Sequence, residues 1–362
     1  MPAPAPTLRL PRRRFLRLAA LATGATLGKV SFPLIAAAPG SSTPFPISDH
    51  CNGHTFFNPK QSDVRGFTDF LRWKFSAKPA AWPESVPVKS RRSGPQAGAG
   101  TLAAHWINHA TFLLQTAGGT VLTDPVYSER VSPVSWAGPR RVHTPGIAFA
   151  DLPRIDVVVL SHDHYDHCDL ATLERFNTAH APLAVTLLGN GPLLRAAGFA
   201  PARIVELDWW GQHTTAAGLS IRATPARHWS NRATSPRNAR LWGGFFFQAG
   251  ERTAHFVGDT GYNGEIFRTI RQRCGAPDVA MIPIGAYEPR WFMAEQHCNP
   301  EEAVKIHVEL GAKQSVAMHW GTFQLTDESR EAPLTALAVA LAAAKLPPAS
   351  FRAVDPGESV QA

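Results

Sequence analysis

Cysteine is scarce in this chain. Cys51, Cys168, Cys274 and Cys298 are its only thiols. They are few, and no C-x-x-C pair suggests a zinc knuckle. An oxidising destination would still allow two bridges, in any of three pairings. Cys168 directly follows His167 and reads as a small buried residue. Charge is sparse too, at 18% of residues, and acid is missing altogether from residues 1–38. That stretch carries Arg9, Arg12, Arg13, Arg14, Arg17 and Lys29. Without these six, 30 basic residues face 28 acidic ones, a net +2 in place of +8. The body of the chain therefore has no basic tract suited to nucleic acid, and none is expected as a partner. A membrane-spanning run is also lacking. Leu18 to Leu27 is weakly apolar, short, and followed closely by Gly28 and Lys29.

The first 38 residues do have a recognisable order. Arg12-Arg13-Arg14-Phe15-Leu16-Arg17 resembles the twin-arginine export signal. The weak apolar run follows, and Ala36-Ala37-Ala38 offers small residues for cleavage. The expectation is a signal peptide over 1–38 and export of a folded, metal-loaded chain to the periplasm. Residues 39–100 are rich in Pro, Ser and Gly and read as an extension and linker. Within them, Gly66 to Phe75 predicts a short amphipathic helix. Residues 101–362 form the expected catalytic domain.

The densest chemistry lies in Ser161-His162-Asp163-His164-Tyr165-Asp166-His167. It follows Val157-Val158-Val159-Leu160, an apolar β-branched run that predicts a buried strand. Three imidazoles and two carboxylates thus leave one strand end together. Neutral imidazole nitrogen and carboxylate oxygen are ligands that suit Zn²⁺. A solvated polar loop is the plain alternative, and the density of donors argues against it. The pattern His-x-His-x-Asp-His resembles the metal signature of the metallo-β-lactamase fold.

Strands are expected at Leu102–Ile107, Thr111–Thr116, Thr120–Thr123, Ala184–Leu188, Ile204–Leu207, Leu219–Ala223, Gly244–Gln248, Thr253–Val257, Val279–Ile282 and Ser315–Met318. Gly118-Gly119 marks a hairpin. Asp169 caps a helix reaching Ala179. Asn299, Pro300 and Glu302 start a helix that runs to Leu310. Ala-rich Leu334 to Lys345 reads as a final surface helix. Two runs of strands, each followed by helices, predict an α/β fold: a metallo-β-lactamase-type αββα sandwich with its metal site at the rim of the two sheets. No repeat at a fixed period shows in the sequence.

Two ions need more donors than one loop supplies. His228, Asp259 and His319 each follow an apolar strand, as the loop does. The reading assigns His162, His164 and His228 to one ion, and Asp166, His167 and His319 to the other. Asp259 is shared, since a carboxylate can span two cations. Asp166 and Asp259 are the candidate catalytic groups. Asp124 in Thr123-Asp124-Pro125 is a candidate for orienting a ligand. His297, His54 and, more weakly, His105 and His109 are candidate substrate contacts or ligand-orienting groups.

Further segments carry a closer resemblance. Ile282-Pro283-Ile284-Gly285-Ala286-Tyr287-Glu288-Pro289-Arg290-Trp291-Phe292-Met293, Glu206-Leu207-Asp208-Trp209-Trp210, Gly258-Asp259-Thr260-Gly261-Tyr262, Asn299-Pro300-Glu301-Glu302-Ala303-Val304, His319-Trp320-Gly321-Thr322-Phe323 and Asn52-Gly53 with Phe57-Asn58-Pro59 are similar to the N-acylphosphatidylethanolamine-hydrolysing phospholipase D family. The resemblance covers roughly residues 50–330. It implies a two-zinc phosphodiesterase that releases a phosphatidic acid and an N-acylethanolamine, with all seven ligands present. Tyr287 lies in the longest of these segments and joins the candidate substrate contacts. Asp163 departs from the pattern, because an uncharged residue is expected between the first two ligands.

The implied chemistry is a water activated between two ions, with positive charge offsetting the charge that develops on phosphate. No side-chain nucleophile is required. The implied partner is a phospholipid at a membrane surface, and a homodimer is compatible with the reading. Phe67, Phe70, Leu71 and Trp73 are the candidate membrane contacts; the alternative for each is packing on the main domain. Trp209-Trp210, Phe245-Phe246-Phe247 and Trp291-Phe292 suit either an apolar substrate or a core. A lactone or carboxylic-ester hydrolase on the same fold, or an exported metal-binding protein without turnover, are the competing readings.

Overall fold

Val and Ile runs broken by Gly and Pro favour strands, and the computed structural model has two sheets of seven. It describes residues 44–60, 65–93, 98, 100–233 and 235–362. The proposed signal peptide lies outside the described residues. Residues 44 onward belong to the same unit as the sandwich, and Phe56 is buried in the sandwich core.

Helix α1 (Phe67–Ser76) comes first among the described residues. Strands β1 (Leu102–Asn108), β2 (Thr111–Thr116) and β3 (Gly119–Thr123) then form an antiparallel meander. The Gly118-Gly119 turn needs glycine at its second position, where φ is +122°. β4 (Val157–Leu160), α2 (Leu170–His180), β5 (Leu183–Leu187), α3 (Gly191–Ala196) and β6 (Ile204–Leu207) follow. Here β3, β4, β5 and β6 run parallel. Asp169 caps α2 by accepting from the Thr172 N–H.

The second half repeats this plan. β7 (Gln212–Thr214), β8 (Ser220–Thr224), β9 (Gly244–Ala249) and β10 (Arg252–Phe256) are antiparallel. After α4 (Gly264–Cys274), β11 (Val279–Pro283) runs parallel to β10. α5 (Arg290–Met293), α6 (Pro300–Leu310), β12 (Gln314–Met318), α7 (Ala332–Ala343) and β13 (Phe351–Arg352) continue it. β14 (Ser359–Gln361) crosses back to pair with β1. The likeness of the halves lies in strand direction, which leaves no repeated sequence.

The sheets bury an aromatic layer that includes Trp106, Phe112, Phe245, Phe247 and Phe256. All three residues of Phe245–Phe247 are buried on β9, so this segment is core. Trp209 is also buried and donates its indole N–H to the Trp242 carbonyl at 2.7 Å. Of the two readings for α1, packing on the domain holds for Trp73. Trp73 is 6% exposed and stacks on Phe292 at 5.2 Å, so it packs on the domain. Phe75, at 86% exposed, is the apolar residue of α1 that reaches solvent most fully. The Phe67 side chain lies outside the described residues.

All four cysteines are free thiols. Cys168 is fully buried, as expected of a small apolar residue beside the loop.

Candidate metal centre

Each candidate ligand sits where an apolar strand ends. β4 is buried throughout and delivers Ser161–His167 at its C-terminal edge. Asp124 sits at the end of the neighbouring β3 and is fully buried. Its Oδ1 accepts the Ser161 N–H at 2.8 Å. Its Oδ2 accepts the Ser161 hydroxyl at 2.5 Å and the His167 Nδ1–H at 2.7 Å. That bond orients the His167 ring and turns its Nε2 forward.

From the second sheet, His228 follows β8. Its Nδ1 donates to the Gln296 carbonyl at 2.8 Å, which again aims Nε2 inward. The Asn58 side chain grips the His228 backbone at both its carbonyl, 2.7 Å, and its N–H, 3.2 Å. Asp259 follows β10 after Gly258, whose φ is +70°. A Cβ on Gly258 would meet the Gly243 carbonyl oxygen at 2.6 Å, so glycine is required there. His319 follows β12 and donates its backbone N–H to the His109 carbonyl at 2.9 Å.

Two groups of donors result. His162 Nε2 lies 3.0 Å from His164 Nδ1, which lies 3.3 Å from His228 Nε2. Asp166 Oδ2 lies 3.4 Å from His167 Nε2 and 3.3 Å from His319 Nε2. Each group fits within 4.8 Å. Between them stands Asp259, its Oδ2 3.2 Å from His167 Nε2, 3.0 Å from His319 Nε2 and 3.8 Å from His228 Nε2.

Buried polar atoms without hydrogen bonds collect here: His167 Nε2, His319 Nε2, Asp259 Oδ1 and His297 Nδ1. Such orphans are costly unless something holds them. Imidazole nitrogens and carboxylates crowded this way fit divalent cations. Against burial, Asp259 and Asp166 raise His167 well above the ordinary histidine value and His319 to about 9, so a cation binding there would displace a proton from each. Burial, reinforced by neighbouring imidazoles, holds His162 well below the ordinary histidine value. Burial does the same to His228 even against the Asp259 charge. Both are neutral and free to donate lone pairs. Burial opposes ionisation of Asp259, but His167 and His319 overcome it and keep the carboxyl well below the usual range.

The remaining candidates separate clearly. His297 is nearly buried and lies 3.8 Å from Asp259 Oδ2. Its pKa is pushed down to about 4 by burial. Tyr287 is buried, but its phenol bonds to none of the seven. His54 is exposed, and its side chain bonds to nothing in the cluster. His105 on β1 is engaged with Gln115 on β2, at 3.0 Å. His109 is closer than its sequence setting suggested. Its Nε2 is 3.0 Å from Asp166 Oδ2 and its ring centroid 4.0 Å from that of His319. The missed contributor is Asn58, whose Phe57-Asn58-Pro59 setting carried no hint of its hold on His228.

The beta-lactamase superfamily domain model matches residues 119–320. This chain belongs to that family. An uncharacterized protein of Mycobacterium tuberculosis is 40% identical over 273 residues, 74% of this chain and 72% of that one. The Caenorhabditis elegans N-acyl-phosphatidylethanolamine-hydrolyzing phospholipase D 1 is 38% identical over 267 residues, covering 71% of this chain and 75% of its own. With that relative, the chain stands within the N-acylphosphatidylethanolamine-hydrolysing phospholipase D group and is a metal-dependent hydrolase.

Solved structures share the fold at lower identity. A metallo hydrolase from Ignicoccus hospitalis is 22% identical, covering 72% of this chain and 98% of its own at a TM-score of 0.54. The diiron β-hydroxylase CmlA of Streptomyces venezuelae is 19% identical, covering 74% of this chain and 55% of its own at 0.54. One fold thus carries unrelated reactions, and the residues must decide the chemistry.

Proposed function

We propose that this chain is a two-zinc phosphodiesterase that cleaves N-acylphosphatidylethanolamine-type lipids into a phosphatidic acid and an N-acylethanolamine. The observation that carries the two-metal reading is Asp259, which lies within 3.8 Å of donors from both groups. His162, His164 and His228 would hold one ion, and Asp166, His167 and His319 the other. The substrate class rests on the 38% identity to the worm phospholipase D.

When bound, two zinc ions would supply an activated water and positive charge facing the phosphate oxygens. The chain's own residues do the rest. Asp124 locks His167, and Asn58 and Gln296 lock His228, so the donors are pre-set before substrate arrives. Asp259 Oδ1, buried and unpartnered, is placed to orient the attacking water. Asp166 is ionised, since the charge of His167 and the bond from His109 overcome its burial, which suits its Oδ2 to hold the second ion. His297, at the edge beside Asp259, can contact the phosphate.

The chain would reach the periplasm by the twin-arginine route and work at a membrane surface. No helix among the described residues is long and apolar enough to cross a membrane, so contact rests on surface side chains. Phe75 on α1 and Trp136, 79% exposed, are the apolar groups suited to it.

The test offers the zinc-loaded protein N-acylphosphatidylethanolamine beside a simple lactone and a carboxylic ester. Turnover of the phospholipid that stops on chelation is expected. Turnover of the lactone or ester alone would assign the site to carbonyl chemistry, and turnover of none would leave a metal-binding protein.

A further inference from the structure

Asp163 stands between two proposed ligands, where the family pattern leads one to expect no charge. Its side chain is 1% exposed, yet it belongs to neither donor group. Its Oδ2 pairs with Arg240 Nη1 at 2.8 Å, and Arg240 is itself buried. Its Oδ1 accepts the backbone N–H of Asn231 at 2.9 Å. Arg240 also donates to the Ser235 hydroxyl.

The partners all come from the segment that follows His228. Asn231 lies three residues past that ligand, and Arg240 closes the segment before β9. Arg232, also buried, crosses in the same direction. Its Nη1 donates to the carbonyls of Asp163, at 2.9 Å, and Cys168, at 3.0 Å. Its guanidinium lies 4.1 Å from the centre of the Tyr165 ring. Trp229 adds a ring contact with His164 at 4.8 Å. The two strand-end loops that supply His162, His164 and His228 are therefore tied together by a buried ion pair and three further hydrogen bonds.

This arrangement matters because the two loops come from different sheets. His162 and His164 leave β4 of the first sheet, and His228 leaves β8 of the second. Nothing in either sheet's ladder fixes the distance between them. A buried carboxylate bonded to both a guanidinium and a backbone N–H is directional and resists displacement.

We infer that Asp163 and Arg240 are a positioning pair for the His162–His164–His228 group, setting the affinity of that metal position and not of the other. The inference rests on the two-metal reading above. Removing groups that orient metal ligands typically weakens affinity about 10–100-fold. Removing one member of a buried pair strands the other's charge, so the effects of the two deletions should not add.

The experiment loads the metal-free full-length protein with zinc against a chromogenic chelator, resolving two binding steps. His228→Ala identifies which step belongs to the three-histidine group. Asp163→Asn and Arg240→Met should each weaken that step by about 10–100-fold and leave the other within about threefold. The double variant should be no weaker than the worse single one, and Arg240→Lys should recover part of the loss. Equal weakening of both steps, unchanged affinity, or additive losses would overturn the inference. Circular dichroism of each metal-free variant checks folding. If Asp163→Asn does not fold, Arg240→Met against Arg240→Lys decides on the same readout. A wild-type chain that takes up fewer than two zinc ions overturns the two-metal reading itself. Two normal steps in both wild type and Asp163→Asn overturn only the positioning pair.

Discussion

Asp259→Asn keeps the shape of the side chain and removes the charge that faces both donor groups. Turnover should fall by at least about 100-fold while circular dichroism and gel filtration stay unchanged, as expected for loss of a directly acting electrostatic group. A second residue-scale expectation concerns His50, which is bonded to Asp208 at 2.8 Å and Asp49 at 2.6 Å. Burial disfavours its charged form, but bonds to Asp208 and then Asp49 outweigh it, so its pKa is raised above 6.5. A raised value means stability that is complete below pH 6.5 and lost as pH climbs through the folded value. His50→Gln should therefore lower the urea midpoint at about pH 5.5 and converge on wild type at higher pH. A gap that widens with pH would contradict this. At this scale the sequence was most readable where donors cluster. His162 through His167 announced themselves by density, whereas Asn58 and Arg240 act through contacts 170 and 77 residues away. Long-range partners of that kind leave no local pattern.

Elements were legible where one signal dominated. The buried run at β4 and the Asn299 cap of α6, with its reciprocal bonds to Glu302 at 2.8 and 3.0 Å, needed no tertiary help. α4 went unread although Asn263 caps it and Phe267 and Ile270 form its buried face. Its Arg- and Gln-rich outer face hides so narrow an apolar stripe. β13 and β14 are two and three residues long and exist only through pairing with β12 and β1. For α1, burial of Trp73 against Phe292 moves the membrane expectation to its neighbours. Phe75→Ser should weaken binding to phospholipid vesicles several-fold while sparing a short soluble phosphodiester. Trp73→Ser should instead lower the melting temperature, because it empties a stacked contact. Unchanged vesicle binding in Phe75→Ser would exclude α1 as the contact.

At the scale of the molecule, the site draws on both sheets, and the core beneath it is apolar. Chelation should therefore abolish activity and lower the melting temperature without unfolding the chain, since a metal that binds only the folded state adds stability by mass action. Unfolding on chelation at room temperature would show that the core depends on the ions. The αββα plan was legible because strand ends carried the donors in both halves.

The proposed chemistry places water on phosphorus, and one measurement reads this directly. The zinc-loaded protein is given N-acylphosphatidylethanolamine in water enriched in heavy oxygen, and the products are weighed by mass spectrometry. The heavy atom should enter the phosphate of the phosphatidic acid, with the N-acylethanolamine unlabelled. Label in the N-acylethanolamine or in a released fatty acid, or no cleavage at all, would contradict a phosphodiesterase that attacks at phosphorus.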